Sequence, residues 1–164
     1  MAEAQDSEKL INVDIVDAAA ATTPKAEVLR KSIPDKGGFI WGTGRRKSSI
    51  ARVRIRPGSG KMLINKKELD KYFAREQDKQ AVVEPLKALD IEKSFDIFVN
   101  VVGGGTTGQS GAIVLGIARA LKGYDPGFMA ILRDTGFLTR DSRMVERKKP
   151  GQRGARKKFQ FSKR

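Results

Sequence analysis

The residues of this 164-residue chain best placed to do chemistry are ones that could meet a phosphate. Gly103, Gly105 and Gly108 spell G-x-G-x-x-G between an apolar run and a helical pattern. In that setting backbone N–H groups at a helix start can hold the phosphates of a dinucleotide. Asp125 follows at about the distance of the acid that takes a ribose hydroxyl. That acid should close a second parallel strand, however, and Gly123-Tyr124-Asp125-Pro126 reads as a turn into a helix. No Gly-Lys-Ser/Thr follows the glycines, so a P-loop fails as well. What survives is general. Unpaired N–H groups at a helix N-terminus attract any phosphate, with Gly103, Gly104, Gly105, Thr106, Thr107 and Gln109 as the candidates. A tight turn that needs glycine for its backbone is the plain alternative.

Other chemistry has little to work with. The chain has no Cys and no His, which removes thiolates, disulfides, imidazole acid–base catalysis and nearly all zinc or haem ligation. Glu84, Asp90, Glu92 and Asp96 are scattered without motif spacing, and solvation at the surface accounts for each. The sequence therefore predicts no catalytic residue, no metal, no cofactor and no small-molecule substrate. A nucleotide-binding enzyme built on the glycine loop is the runner-up.

Charge points elsewhere. Lys and Arg number 33 against 19 Asp and Glu, a formal net charge of +14. Such an excess opposes compaction unless a polyanion offsets it, and nucleic acid is the commonest such partner. An anionic membrane surface is the alternative, but there is neither a basic amphipathic helix nor an apolar run of about 20 residues. The charge is also uneven. Residues 1–39 carry five basic and seven acidic side chains, and residues 138–164 carry eleven and two, leaving +7 for the stretch between. The acidic start of the chain is unlike a signal or transit peptide, so a cytoplasmic protein is expected.

Three basic groups stand out. Arg45, Arg46 and Lys47 sit beside glycine and serine in Gly44-Arg45-Arg46-Lys47-Ser48-Ser49, offering charged and backbone donors to phosphate oxygens. Along residues 49–56, Ala51, Val53 and Ile55 alternate with Arg52, Arg54 and Arg56, a strand with one apolar and one cationic face. The third group is the C-terminal run, with Arg140, Arg143, Arg147, Lys148, Lys149, Arg153, Arg156, Lys157 and Lys158 among flexible glycines. Flexible basic segments fold onto RNA. A merely solubilising tail is the bland reading. Phe159 and Phe161 could stack on bases or pack on a partner. Lys122 is a further candidate cation at the end of the helix after the glycines.

The elements that would position these groups follow from patterning. Residues 1–38 read as an Ala-rich acidic leader, mostly disordered. Ile11-Asn12-Val13-Asp14-Ile15 alternates like a lone strand. A domain over residues 39–137 opens near Phe39-Ile40-Trp41. Residues 49–56 pair as a hairpin with Met62-Leu63-Ile64 across Pro57-Gly58-Ser59-Gly60. Residues 67–90 form short helices, with Leu69, Tyr72 and Phe73 at helical spacing and Pro85 marking a restart. Residues 95–102 form a central strand. Thr106 or Thr107 caps a helix that runs to about Leu121, with Gly123 as its stop. Its Gly108, Gly111, Ala112, Gly116, Ala118 and Ala120 let it lie close to a sheet. Asp125-Pro126 starts a further helix ending near Arg133. Residues 138–164 form an extended basic tail with almost nothing to bury.

Four stretches resemble one family. Residues 103–121, GGGTTGQSGAIVLGIARAL, look like the signature of small-subunit ribosomal protein nine of the bacterial type. Residues 42–49, GTGRRKSS, residues 138–149, LTRDSRMVERKK, and residues 160–164, QFSKR, agree with it. The resemblance implies an α/β fold, an α+β two-layer sandwich with a mixed sheet packed on helices, like the second domain of small-subunit ribosomal protein five. It implies a place in the head of the small subunit, bound to small-subunit rRNA and neighbouring head proteins. It also implies a tail whose last residues, here Ser162, Lys163 and Arg164, reach P-site tRNA. Residues 1–38 lie outside the shared pattern, and Ser142 stands where the family's R-D-P-R stretch has Pro. A free-standing nucleic-acid chaperone would share the charge pattern and is the third alternative.

Overall fold

The computed structural model describes residues 32–162. The expected strand around Val13, most of the leader, and the terminal Lys163 and Arg164 lie outside the described residues. The elements run β1 (Ile40–Arg46), β2 (Ser49–Pro57), β3 (Met62–Ile64), β4 (Lys67–Glu68), α1 (Leu69–Tyr72), α2 (Glu76–Lys87), β5 (Phe95–Val102) and α3 (Thr106–Tyr124). A 3-10 turn (Pro126–Phe128) and α4 (Met129–Asp134) complete them. The strands form one mixed five-stranded sheet in the order β1-β2-β5-β3-β4, and only the β3–β5 pairing is parallel. The result is the α+β sandwich expected from the sequence, with β5 central.

Alternation decides which face of the sheet is covered. Ala51, Val53 and Ile55 of β2 and Ile97, Val99 and Val101 of β5 point to the helices and are buried with Ile113, Ile117 and Leu121 of α3. Each large aliphatic side chain so buried contributes about 1.5–3 kcal/mol. α3 packs along β1 and β2, and α2 packs on α3, where the Ser110 hydroxyl donates to Asp78 Oδ1 at 3.0 Å. The small residues of α3 do admit close approach, and their counterparts are glycines of β1. A Cβ at Gly44 would stand 1.9 Å from the Ala112 carbonyl oxygen, and one at Gly42 would stand 2.2 Å from that of Gly116. No helix among the described residues is long and apolar enough to cross a membrane.

Several local expectations are corrected. β2 does not pair with β3. It forms its hairpin with β1, in register from Ile40↔Ile55 to Arg46↔Ser49, and β5 inserts between β2 and β3. The reason is β5 itself, whose largely apolar strand needs a neighbour on each side. Asp96 then holds the 57–61 connection around the end of β5, its Oδ1 accepting the N–H groups of Ser59 at 2.9 Å and Lys61 at 3.2 Å. That carboxylate is buried, not a solvated surface group. Pro85 marks no restart; it lies inside α2, buried, with no N–H to give the preceding turn. α3 is capped by Gly105, with no side-chain cap bond from either threonine, since Thr106 is already helical. It also passes through Gly123 and ends at Asp125, which the following proline holds extended (φ −134°, ψ 115°). One further turn lets Tyr124 meet Phe95 edge-to-face at 4.9 Å. Asp125 does cap the next turn as expected, accepting from the Gly127 N–H at 2.9 Å.

Candidate nucleic-acid interface

The sheet face turned away from the helices carries the arginines of β2. Register places Trp41, Arg54 and Phe98 in one cross-strand row and Thr43, Arg52 and Asn100 in the next. Arg52 is exposed. Arg54 is not a free cation on a stem. Its guanidinium carbon lies 5.1 Å from the Phe39 ring centre, 5.3 Å from that of Phe98 and 5.9 Å from that of Trp41, distances at which cation–π attraction acts. Arg56 lies against Phe39 and Phe98 and pairs with Asp96 at 3.4 Å. The three arginines thus share a face as expected, but they do not share a role.

A second cluster forms where the β1–β2 turn, the start of α3 and the start of the tail meet. Lys47 sits in the turn at φ 51°, a left-handed conformation costing a side chain about 1–2 kcal/mol. The glycine loop is shaped by this turn. Gly103 and Gly104 have φ of 75° and 65°, and a Cβ on them would come within 2.6 Å of the Ser48 carbonyl oxygen and 2.1 Å of Ser49 Oγ. Ser49 Oγ donates to the Gly103 carbonyl at 3.1 Å. The structural reading therefore accounts for these glycines. Gly105 has open space around it. Its carbonyl accepts from Gly108 and Gln109, and the N–H groups of Thr106 and Thr107 have no intrahelical partner by position. Gln109 is used within the fold, donating to the Gly103 carbonyl at 3.0 Å and accepting from the Tyr72 hydroxyl at 2.8 Å.

Arg46 ties the cluster together. Its guanidinium donates to the Thr107 carbonyl at 3.3 Å and to Asp141 at 2.8 Å, while its buried Nε has no hydrogen-bond partner among the described residues. Asp141 also accepts from the side chain and backbone of Arg143. These bonds from Arg143, then Arg46, hold its carboxyl far below the usual carboxylate range. A cleft of about 190 Å³ lies alongside, lined by Arg45, Arg46, Phe137, Thr139 and Asp141 among others. Arg45, Lys47 and Arg140 around this cluster are exposed. Lys122 stands apart, 16 residues along α3 from Thr106, which is roughly 24 Å at the helical rise.

Residues 138–162 form neither helix nor strand. Arg147, Lys148, Lys149, Arg153, Lys157 and Lys158 are all exposed. Arg156 pairs with Glu146, and Arg153 lies 5.7 Å over the Phe159 ring. Ser162 is exposed at the end of the described chain. The aromatic cluster of Phe39, Trp41 and Phe98 escaped sequence reasoning. The alternation of Phe39-Ile40-Trp41 was the signal for it, since it sets two rings on the side away from Ile40.

The sequence matches those of known proteins. A family model described as ribosomal protein S9/S16 matches residues 44–164. A small ribosomal subunit protein uS9 from Rhodopirellula baltica is 56% identical over 127 residues, covering 77% of this chain and 93% of its own length. One from Rickettsia bellii is 47% identical over 159 residues and covers 96% of this chain. One from Anaeromyxobacter sp. is 54% identical over 121 residues. On both the family match and these relatives, the chain belongs to the ribosomal protein S9/S16 family of structural ribosomal proteins.

Proposed function

We propose that this chain, as a structural protein of the small ribosomal subunit, binds small-subunit rRNA through the cations of residues 39–137 and the tail of residues 138–164. We propose further that Ser162, Lys163 and Arg164 contact P-site tRNA. On this reading the protein works in the cytoplasm, on the ribosome, beside neighbouring proteins of the subunit head. The observation that carries the rRNA reading is the surplus of cations left without a carboxylate. Arg45, Lys47, Arg52, Arg140, Arg147, Lys148, Lys149, Arg153, Lys157 and Lys158 are exposed, and Glu146–Arg156 is the one ion pair formed wholly within described residues 144–162. Such groups repel one another until phosphates come between them. Thr106 and Thr107 at the start of α3 add backbone donors of the kind that phosphate oxygens accept.

The tail carries the tRNA part. Beyond Asp141, residues 142–162 are mostly exposed and gain little from contact with the domain, so a partner is the better source of order for this segment. Removing residues 162–164 should leave folding and entry into small subunits unchanged while P-site tRNA dissociates faster, as read by filter binding on the purified subunits. Unchanged tRNA retention would remove that role.

A further inference from the structure

We infer that the open face of the sheet holds an unpaired nucleobase of the bound RNA, stacked on Trp41 and Arg54 and met at its edge by Thr43 and Asn100. This rests on the RNA reading above and adds to it a site for a base rather than a phosphate. Trp41 is 51% exposed although it lies within a strand, so packing within the fold uses only part of its ring. The Arg54 guanidinium, held among Phe39, Trp41 and Phe98, has lost the freedom of a phosphate-seeking side chain. Half-buried among those rings, it extends the aromatic surface, and arginine planes stack on bases as aromatic rings do. The next cross-strand row, Thr43↔Arg52↔Asn100, lies two residues along the strands, roughly 7 Å away. The Thr43 hydroxyl and the Asn100 amide there supply the donors and acceptors that a base edge needs. The exposed Arg52 and Arg45 complement the strand's phosphates. The occupant is therefore a single-stranded nucleotide, because a duplex offers no free base plane.

Trp41 is the only tryptophan of the chain, so its emission reports this face alone. The full-length protein is titrated with a short single-stranded oligoadenylate and with an abasic strand of equal length and charge. Quenching of Trp41 by the oligoadenylate and not by the abasic strand is expected. Trp41→Ala should weaken oligoadenylate binding about tenfold by fluorescence anisotropy, and Trp41→Phe should restore most of it. Equal quenching by both strands would reduce the face to a phosphate site and overturn the inference. Quenching by polyglutamate but not by oligoadenylate would assign the face to an acidic protein and overturn it too. So would a blue-shifted emission in the free chain that no added strand alters, which would mean that the N-terminal segment already covers Trp41. Oligoadenylate bound by anisotropy without any quenching would remove the stack and leave the RNA reading standing. No binding at all would remove both.

Discussion

Asp96 and the arginines of β2 show how one type of side chain takes different work from its surroundings. Hydrogen bonds from the Ser59 and Lys61 backbone and the charge of Arg56 hold the Asp96 carboxyl below its ordinary value. A carboxylate so lowered stabilises the fold fully above the usual carboxylate range near pH 4, and loses that contribution as pH falls through its own lower value. Asp96→Asn should therefore lower the thermal midpoint at pH 7, with the difference from the natural protein shrinking below about pH 4. A difference independent of pH would show that the charge plays no part. Arg52 and Arg56 should separate in the same spirit. Arg52→Gln should leave thermal stability unchanged and reduce the salt slope of RNA binding by about 1. Arg56→Gln should lower stability as well, because Asp96 loses its cation. None of this was legible in the sequence, since Asp96 meets Ser59 and Arg56 across 37 and 40 residues, and Arg46 meets Asp141 across 95.

Among the elements, close contact between β1 and α3 sets the geometry of the cationic turn. Gly44→Ala would press a methyl group into the Ala112 carbonyl and should destabilise the fold by roughly 3 kcal/mol in urea unfolding. Gly105→Ala, with nothing near its Cβ position, should cost under about 1 kcal/mol, mainly through a poorer helix cap. Equal effects would mean that the strand and helix do not approach as described. β2, β5 and α3 were legible because their apolar residues repeat at the spacing of their element. β1 was not, because Gly42 and Gly44 sit where a strand ordinarily shows large residues. The pairing of β2 was misjudged because nearness in sequence favours a hairpin with β3, whereas the demand of β5 for two neighbours overrides it. The ends of α3 were missed for local reasons, the left-handed glycines before it and Pro126 after it.

At the scale of the whole molecule, the net charge of +14 is uneven: residues 40–137 carry +7 and residues 138–164 carry +9, against −2 for residues 1–39. The sequence revealed that imbalance directly, and the family pattern gave its meaning. It could not reveal which cations are already paired, and Arg46, Arg56, Arg143 and Arg156 are. Lys71 and Lys79 are paired too. On the proposed reading, the cations that no carboxylate pairs are the ones that an RNA neutralises, and each phosphate contact releases counterions. The most direct test is the affinity of the intact chain for small-subunit rRNA across a series of KCl concentrations. Tight binding at low ionic strength is expected, with a logarithmic salt slope steeper than about −4, the signature of five or more phosphate contacts. A slope near zero, or no binding at low salt, would contradict the rRNA reading.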